Sequence, residues 1–450
     1  MTWMWGVDDW IIILGVMAAL ACAIPGTFLL LRGMSMMGDA ISHAVLPGIA
    51  IGFLISGTRD SSWMFIGAAV AGVCAAVLTQ VLHRFGRLER GAAMGVIFTT
   101  FFAVGLVLLV QTADHVDLDP NCVLYGAIEL APIDLVTIAG LDMPRSFPVL
   151  VVICILNLGL LLLLYKELKI CSFDPAMARA SGVNVTLVNQ IHMIMTAATC
   201  VACFEVVGSI LVVALLVVPA AAARLMSDRL PIVLILSLVI GSIAASLGHL
   251  AAINVPGWFG DVPETSTAGM MAVMTGVLFL LAWLLAPRHG LFTQILHRWR
   301  LRIRIASEDA LGLVFRSIEN DSGMTRIDIR RTIVSFTEVG VVIAWIAVRR
   351  IRRDGLIDLK DNRCVLTEEG YRRASELIRS HRLWEAWLWQ HADLAADHVH
   401  GQAMRLEHVT DRSMREKLAA QIDATGIDPH GRPIPSSNPV GDGGPERSRP

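Results

Sequence analysis

Apolar residues in this chain come in long blocks separated by short polar stretches, and the blocks stop at about residue 287. Runs long enough to cross roughly 30 Å of hydrocarbon lie near 9–31, 36–56, 62–82, 91–111, 147–165, 187–204, 206–224, 231–252 and 267–286. The pattern predicts nine membrane-spanning helices. The pair 187–204 and 206–224 leaves room for only a very short turn, around Phe204 and Glu205. The stretch from Thr112 to Ser146, which contains DHVDLDP, is too polar to cross and reads as an external loop with short helices. After about Ser307 the blocks give way to amphipathic segments: a helix over 307–320, a polar break, and helices through 353. Then comes GLIDLKDNRCVLTEEG, two short strands around Asp361 and Asn362, as in the wing of a winged helix. The fold class is therefore an all-α polytopic membrane protein with a C-terminal winged-helix and helical domain.

Composition sharpens this. With 55% hydrophobic and 17% charged residues and a mean hydropathy of +0.61, an ordinary soluble domain is excluded. The net charge of -2 hides a split, because lysine and arginine are sparse before residue 287 and dense after it. With the N-terminus outside, Arg32, Arg84, Arg87, Arg90, Lys166, Lys169, Arg179, Arg224 and Arg229 fall inside, against Arg59 and Arg145 outside. That asymmetry obeys the positive-inside rule and places the soluble tail in the cytoplasm. The acidic start MTWMWGVDDW lacks the basic region of a cleaved signal peptide, so the first apolar block is expected to remain as a span. Eight cysteines are scattered through the chain, mostly in apolar segments, and suggest no disulfide framework.

Two membrane motifs carry chemistry. In GDAISHAVLPG, Asp39 and His43 stand four residues apart, on one face of a helix. At 1.5 Å per residue His43 lies roughly 12 Å into the span. An unpaired ionisable group there costs several kcal/mol, so the pair reads as a divalent-metal half-site on an ion pathway. The other reading is an intrahelical hydrogen bond at a polar helix interface. Pro47 follows at once and frees a carbonyl one turn earlier, as at broken-helix transport sites. The second motif is KELKICSFDPAMARASGVNV. Asp174 suits an N-cap, Pro175 the first helical position, and Gly182 the residue after the end, so a short capped helix is predicted on the inner face. Glu205, His192 and His249 sit near span ends and could line a path or occupy interfaces. Cys200 and Cys203 share a helix face and read as packing residues. No G-x-x-x-x-G-K-[ST] occurs, so the chain carries no P-loop.

GDAISHAVLPG, the acidic VDLDPNCVLYG, FDPAMARASG and VGSILVVALLVVPAAAARLM, in that order, resemble the metal-ion permease family of bacterial ABC importers over residues 9–287. The resemblance implies a multi-pass protein of the bacterial plasma membrane. Its partners would be a second permease subunit, cytoplasmic ATPases and an extracytoplasmic metal-binding protein, and its cargo Mn2+, Zn2+ or Fe2+. It also implies that Asp39 and His43 belong to the intramembrane metal site, and that Asp174, Pro175, Ala178 and Gly182 belong to the helix that couples to the ATPase. The chain would be a transport subunit rather than an enzyme.

The tail has its own resemblance. HRLWEAWL, HVHGQAMRLEH and DPHGRPIP resemble the iron- and manganese-dependent (diphtheria-toxin-repressor-like) regulators from about Glu308 to Pro435. The resemblance implies two metal sites, one from His381, Glu385 and His400, the other from Met404, Glu407, His408 and Asp309. The spacing agrees: His381 and Glu385 share a helix face, as do His400, Met404 and His408. Met404 stands where that family has Cys or Glu, and Gly312 where its manganese-selective branch has an acid. The expected recognition helix, GVVIAWIAVRRIRRDG, has Val341, Val342 and Trp345 where short polar residues would approach bases. Its Arg349, Arg350, Arg352 and Arg353 can touch phosphates. Weak or lost sequence-specific DNA binding follows.

The expected domains are a transmembrane permease at 1–287 and a basic linker at 288–306, whose HRWRLRIRI can lie on anionic headgroups. A winged helix at 307–378, metal-binding and dimerisation helices at 379–435 and a disordered tail at 436–450 complete the chain. The leading reading is a metal importer whose tail senses the imported ion. A membrane-held or proteolytically released transcription regulator and an ATPase-independent secondary carrier are the alternatives.

Overall fold

The computed structural model describes residues 4–56, 61–113, 128–138, 140–258, 265–320, 325–337, 340–360, 363–392, 394–422 and 426–436. The chain divides into two compact units, Met1–Gln294 and Ile295–Pro450. The acidic stretch 114–127, the turn residues Asp361 and Asn362, and residues 437–450 lie outside the described residues.

In the first unit, helices α1 (Val7–Leu31), α2 (Met37–Ala44), α3 (Leu46–Ser56), α4 (Ser61–Phe85) and α5 (Arg90–Ala113) precede a hairpin of β1 (Leu135–Ile138) and β2 (Leu141–Pro144). Then come α6 (Ser146–Phe173), α7 (Pro175–Ala180), α8 (Val185–Met226), α9 (Leu230–Asn254) and α10 (Thr267–Leu285). Eight helices among the described residues are long and apolar enough to cross a membrane, with α2 and α3 forming one of them. The hairpin, with Leu135 paired to Pro144 and Ile138 to Leu141, occupies ground where the sequence suggested short helices.

The expected spans 187–204 and 206–224 fall on one helical run, α8, which is why nine expected spans correspond to eight long apolar helices among the described residues. A straight helix of 42 residues would be about 63 Å long, twice the hydrocarbon thickness. It is not straight, because Gly208 has φ 77° and ψ 164°, a conformation that only glycine adopts readily. Both arms pack on neighbouring turns of α1: Cys203 faces Cys22, with the sulfurs 3.9 Å apart, and Leu216 abuts Gly26. Val188, at the start of α8, and Leu230, just past its end, are buried in one cluster with Phe28, Leu168 and Ala178. The chain thus doubles back at Gly208, and the reversal falls there instead of at Phe204 and Glu205.

The core of this unit sits around α1 and α8, both buried along most of their length. Two polar groups inside it show how burial is met by pairing. Asn157 Nδ2 donates to the Ala21 carbonyl at 2.8 Å and to Thr199 Oγ1 at 3.0 Å. Arg32, at the end of α1, reaches Asn189 Oδ1 at 2.7 Å and Ser172 Oγ at 3.0 Å, tying α1 to α8 and α6.

In the second unit, α11 (Leu291–Glu319) begins in the first unit and takes in most of the expected linker, so 288–306 is largely helical. It is followed by α12 (Arg326–Thr337), α13 (Val341–Arg353), the hairpin β3 (Ile357–Lys360) and β4 (Arg363–Leu366), α14 (Glu368–His391), α15 (Ala396–Leu406), a 3-10 turn at Glu407–Val409, and α16 (Arg412–Gln421). The wing forms as expected, with Ile357 opposite Leu366 and Lys360 opposite Arg363. Val314, Phe315, Ile329, Ile333, Ala347, Ile351, Ile357, Cys364 and Ile378 make its core. The boundary drawn at 378 falls inside α14, which is continuous from wing to metal cluster.

Candidate metal centres

The membrane pair sits where α2 gives way to α3. Only Val45 separates the two helices, and Pro47 has no N–H to give the His43 carbonyl, which explains the break. His43 Nε2 lies 3.7 Å from Asp39 Oδ1, so the two side chains converge without a short hydrogen bond between them. Phe98 and Phe102 of α5 pack on the imidazole, with ring centroids at 5.0 and 5.3 Å. Asp39 is the open side of the pair, with its side chain 53% exposed against 28% for His43. A carboxylate oxygen and an imidazole nitrogen so placed can hold one side of a hard or borderline divalent cation.

Other polar residues singled out in the spans separate by role. His192 is buried, with its Nε2 3.2 Å from the Pro25 carbonyl and its ring against Phe28, so it locks α8 onto α1. His249 is buried beside Asp8, with Nε2 and Oδ1 at 3.2 Å, joining α9 to the start of α1. Cys200 and Cys203 are buried packing residues.

The short helix α7 has the caps its sequence implies. Asp174 Oδ1 accepts from the Ala176 and Met177 amides at 3.0 and 2.9 Å, and Pro175 opens the helix. Gly182 closes it with φ 80°, while the Val183 and Gly182 amides bond back to the Ala178 and Arg179 carbonyls. Ala178 is buried against α6 and α8, and Met177 is exposed.

The tail cluster is tighter and assembled from four segments. His381 and Glu385 come from successive turns of α14, His400 from α15, Glu407 and His408 from the 3-10 turn, and Asp309 from α11. Three ligand atoms meet at one point. His381 Nε2 is 3.0 Å from Glu385 Oε1 and 3.1 Å from His400 Nδ1, and His400 Nδ1 is 2.7 Å from Glu385 Oε1. Two imidazole nitrogens and a carboxylate in mutual contact form a donor set suited to a divalent transition metal. His381 is 3% and Glu385 2% exposed, so these groups are withdrawn from water.

A second group, Asp309, Glu407 and His408, lies alongside. His408 Nε2 is 3.2 Å from Asp309 Oδ1 and 3.7 Å from Glu407 Oε1. Asp309 Oδ2 is buried and has no hydrogen-bond partner among the described residues, a free ligand position. Met404, His400, Asp309 and Glu407 line a cavity of about 60 Å3 whose wall at Gly312 carries no carboxylate. Glu407 links the two groups, because its Oε2 lies 2.5 Å from His381 Nδ1. All seven tail residues named from the sequence are therefore brought together.

Charge complementarity binds the cluster together. Burial alone would depress His408, but hydrogen bonds to Asp309 and Glu308 outweigh it and hold the imidazole up at about 10. Burial likewise opposes the charged form of His381, and the Glu385 and Glu407 carboxylates prevail and raise it. Burial would raise Glu385, yet His381 and His400 hold it well below the usual carboxylate range.

Sequence reasoning missed four contributors. Glu308 accepts from His408 Nδ1 at 2.7 Å and fixes the ring with Nε2 toward Asp309. Asp428 and His430 of DPHGRPIP form a further ligand-type group with Glu385, His430 Nδ1 lying 3.7 Å from Glu385 Oε2. Buried Arg382 anchors that segment through Asp428 at 3.6 Å, Glu319 at 2.6 Å and the Pro433 carbonyl at 2.6 Å. The signal was present as the Asp and His of DPHG, but nothing local shows that the turn folds back on α14.

Comparison with known proteins agrees with this division. Residues 367–436 match the iron dependent repressor, metal binding and dimerisation domain. The chain is 45% identical over 288 residues to the manganese transport system membrane protein MntD of Bacillus subtilis, covering 64% of this chain and 95% of that protein. It is 38% identical to the zinc transport system membrane protein TroD of Treponema pallidum, over 64% of this chain and 76% of that one. The manganese transport system membrane protein MntC of B. subtilis aligns over 447 residues at 26% identity, 94% of this chain and 93% of that protein. Among solved structures, PsaBC from Streptococcus pneumoniae in complex with Fab matches with TM-score 0.51 and 28% identity, over 62% of this chain and 92% of that one. With residues 9–286 matching its model, the chain belongs to the ABC 3 transport family.

Proposed function

We propose that this permease imports a divalent transition metal, Mn2+, Zn2+ or Fe2+, and that its tail senses the same ion in the cytoplasm and restrains uptake. The observation that carries the transport reading is the Asp39 and His43 pair at a helix break in the second span, with the carboxylate exposed. A second permease copy or paralogue completes the coordination there, and ATPases docked at α7 drive the change of access. The manganese and zinc transport named for the relatives supports this cargo class. An extracytoplasmic binding protein delivers the ion.

The sensing reading rests on the tail cluster. His381, Glu385 and His400 would hold one ion, and Asp309, Met404, Glu407 and His408 a second. A bound cation would neutralise the carboxylates packed around His381 and His408. The thioether of Met404 favours a softer ion than an acid would.

Uptake measured with and without residues 306–450 tests the regulatory part. Loss of the tail should leave initial uptake intact and abolish its decline as cytoplasmic metal rises. Identical uptake curves for both chains would refute sensing without touching the transport reading.

A further inference from the structure

We propose that α13, the helix in the recognition position of the winged helix, is a membrane-docking element whose ligand is an anionic lipid surface. Its buried side, Ala344, Ala347, Val348 and Ile351, packs into the domain core. Its outer side is divided along its length. The first half presents Val341 at 68%, Val342 at 64% and Trp345 at 42% exposure. The second half presents Arg349, Arg352 and Arg353. Helical spacing puts all six within one face roughly 120° wide, so the helix offers an apolar tip followed by a cationic patch.

The patch is built to take negatively charged groups. Arg330 of α12 joins Arg349, Arg352 and Arg353 around an open cavity of about 440 Å3, which Trp345 also lines. The Arg349 guanidinium lies over the Trp345 ring, 5.1 Å from its centroid. Arg330 Nε is buried without a hydrogen-bond partner. None of the four has a carboxylate partner among the described residues, whereas the neighbouring Arg350 does, in Asp354 at 3.7 Å.

Nucleic acid and lipid headgroup both supply phosphate, and the tip separates them. Base edges are read by hydrogen bonding, which Val341 and Val342 cannot do. Exposed valines and a tryptophan beside arginines suit the boundary between headgroups and acyl chains. Eight helices among the described residues are long and apolar enough to cross a membrane, so a lipid surface belongs to the chain's surroundings. The same chemistry recurs at the beginning of α11. Phe292, Ile295, Leu296 and Trp299 are exposed at helical spacing, flanked by Arg298, Arg300 and Arg302.

The test uses the full chain in nanodiscs rich in phosphatidylglycerol or made of phosphatidylcholine alone, with a photoreactive phenylalanine in place of Val342. Lipid adducts on that residue, read by mass spectrometry, should be abundant on anionic discs and scarce on neutral ones. Each arginine contributes about fivefold to surface partitioning. The triple charge reversal Arg349→Glu, Arg352→Glu, Arg353→Glu should therefore cut the yield by at least about a hundredfold while the tail still binds Mn2+. The milder Val342→Ser, Trp345→Ser pair should reduce protection of α13 from trypsin on anionic discs. Equal adduct yields on both discs, or none on either, would overturn the proposal. So would retention of a labelled DNA duplex by the full chain on neutral discs, lost on the same charge reversal.

Discussion

The chain uses one local device twice. Asp39 with His43, and His381 with Glu385, are each a carboxylate and an imidazole four residues apart on a helix, yet they sit in opposite environments. The membrane pair is 3.7 Å apart with its carboxylate open, and the tail pair is 3.0 Å apart and almost fully buried. A half-site that meets its ion in passing needs an open flank through which the ion can leave. A site that registers an ion's presence gains from closure, and here a second imidazole and an adjoining carboxylate enclose it. The same spacing thus stands open or enclosed according to what the fold packs around it.

The largest effect expected concerns the open pair. Exchanging Asp39 or His43 for Ala should lower metal uptake by at least 100-fold while the protein still inserts, as followed by radiolabelled Mn2+ in cells. Uptake within a factor of two of normal would remove the pair from the pathway. At the closed site, Glu385→Gln keeps the shape and removes the charge shared by His381 and His400. Mn2+ affinity of the tail, measured calorimetrically on the full chain, should fall by about 100-fold, with initial uptake unchanged. If both exchanges gave the same uptake defect, the division of roles between the two regions would be wrong.

The third prediction turns on protons. His408 is held at about 10, above its ordinary 6.5. Without metal, its ion pairs stabilise the tail fully below about 6.5, and that contribution is lost as pH rises through about 10. Glu385 is depressed, so its contribution is present above its ordinary 4.5 and lost only as pH falls well below that. Metal must displace the proton on His408, so metal affinity should rise with pH between 7 and 9, by up to about tenfold per unit for each proton released. The metal-free melting temperature should fall over the same interval. An affinity independent of pH would show that the imidazole is not displaced by the ion. The smallest effect belongs to α7. Asp174→Ala removes the cap on two amides and should cost about 1 kcal/mol locally, seen as a severalfold loss of metal-stimulated ATPase activity with the assembled partners and little change in expression.

Much of this was legible in the sequence, for physical reasons that differ by element. Hydrocarbon thickness fixes how long an apolar run must be, so the spans could be located from the chain alone. The caps of α7 are local chemistry, so Asp174, Pro175 and Gly182 announced the helix as it stands. The wing was readable from two alternating runs. The reversal in α8 was legible as a short turn but its place was not, because Gly208 sits in an apolar stretch and its positive φ depends on how both arms pack against α1. The largely helical stretch 288–306 reads as a linker, because the strict alternation of HRWRLRIRI is not a helical period and gives no sign of the helix.

For the sites, sequence by itself determined ligand types and the spacing within each helix, since i and i+4 always share a face. It could not place Glu308, Asp428 and His430, because contacts between segments tens of residues apart are decided by packing. Only the tertiary structure turned one His and carboxylate pair toward an open flank and enclosed the other. The cost of burying charge is set by every neighbour at once, and no local stretch of chain contains that information.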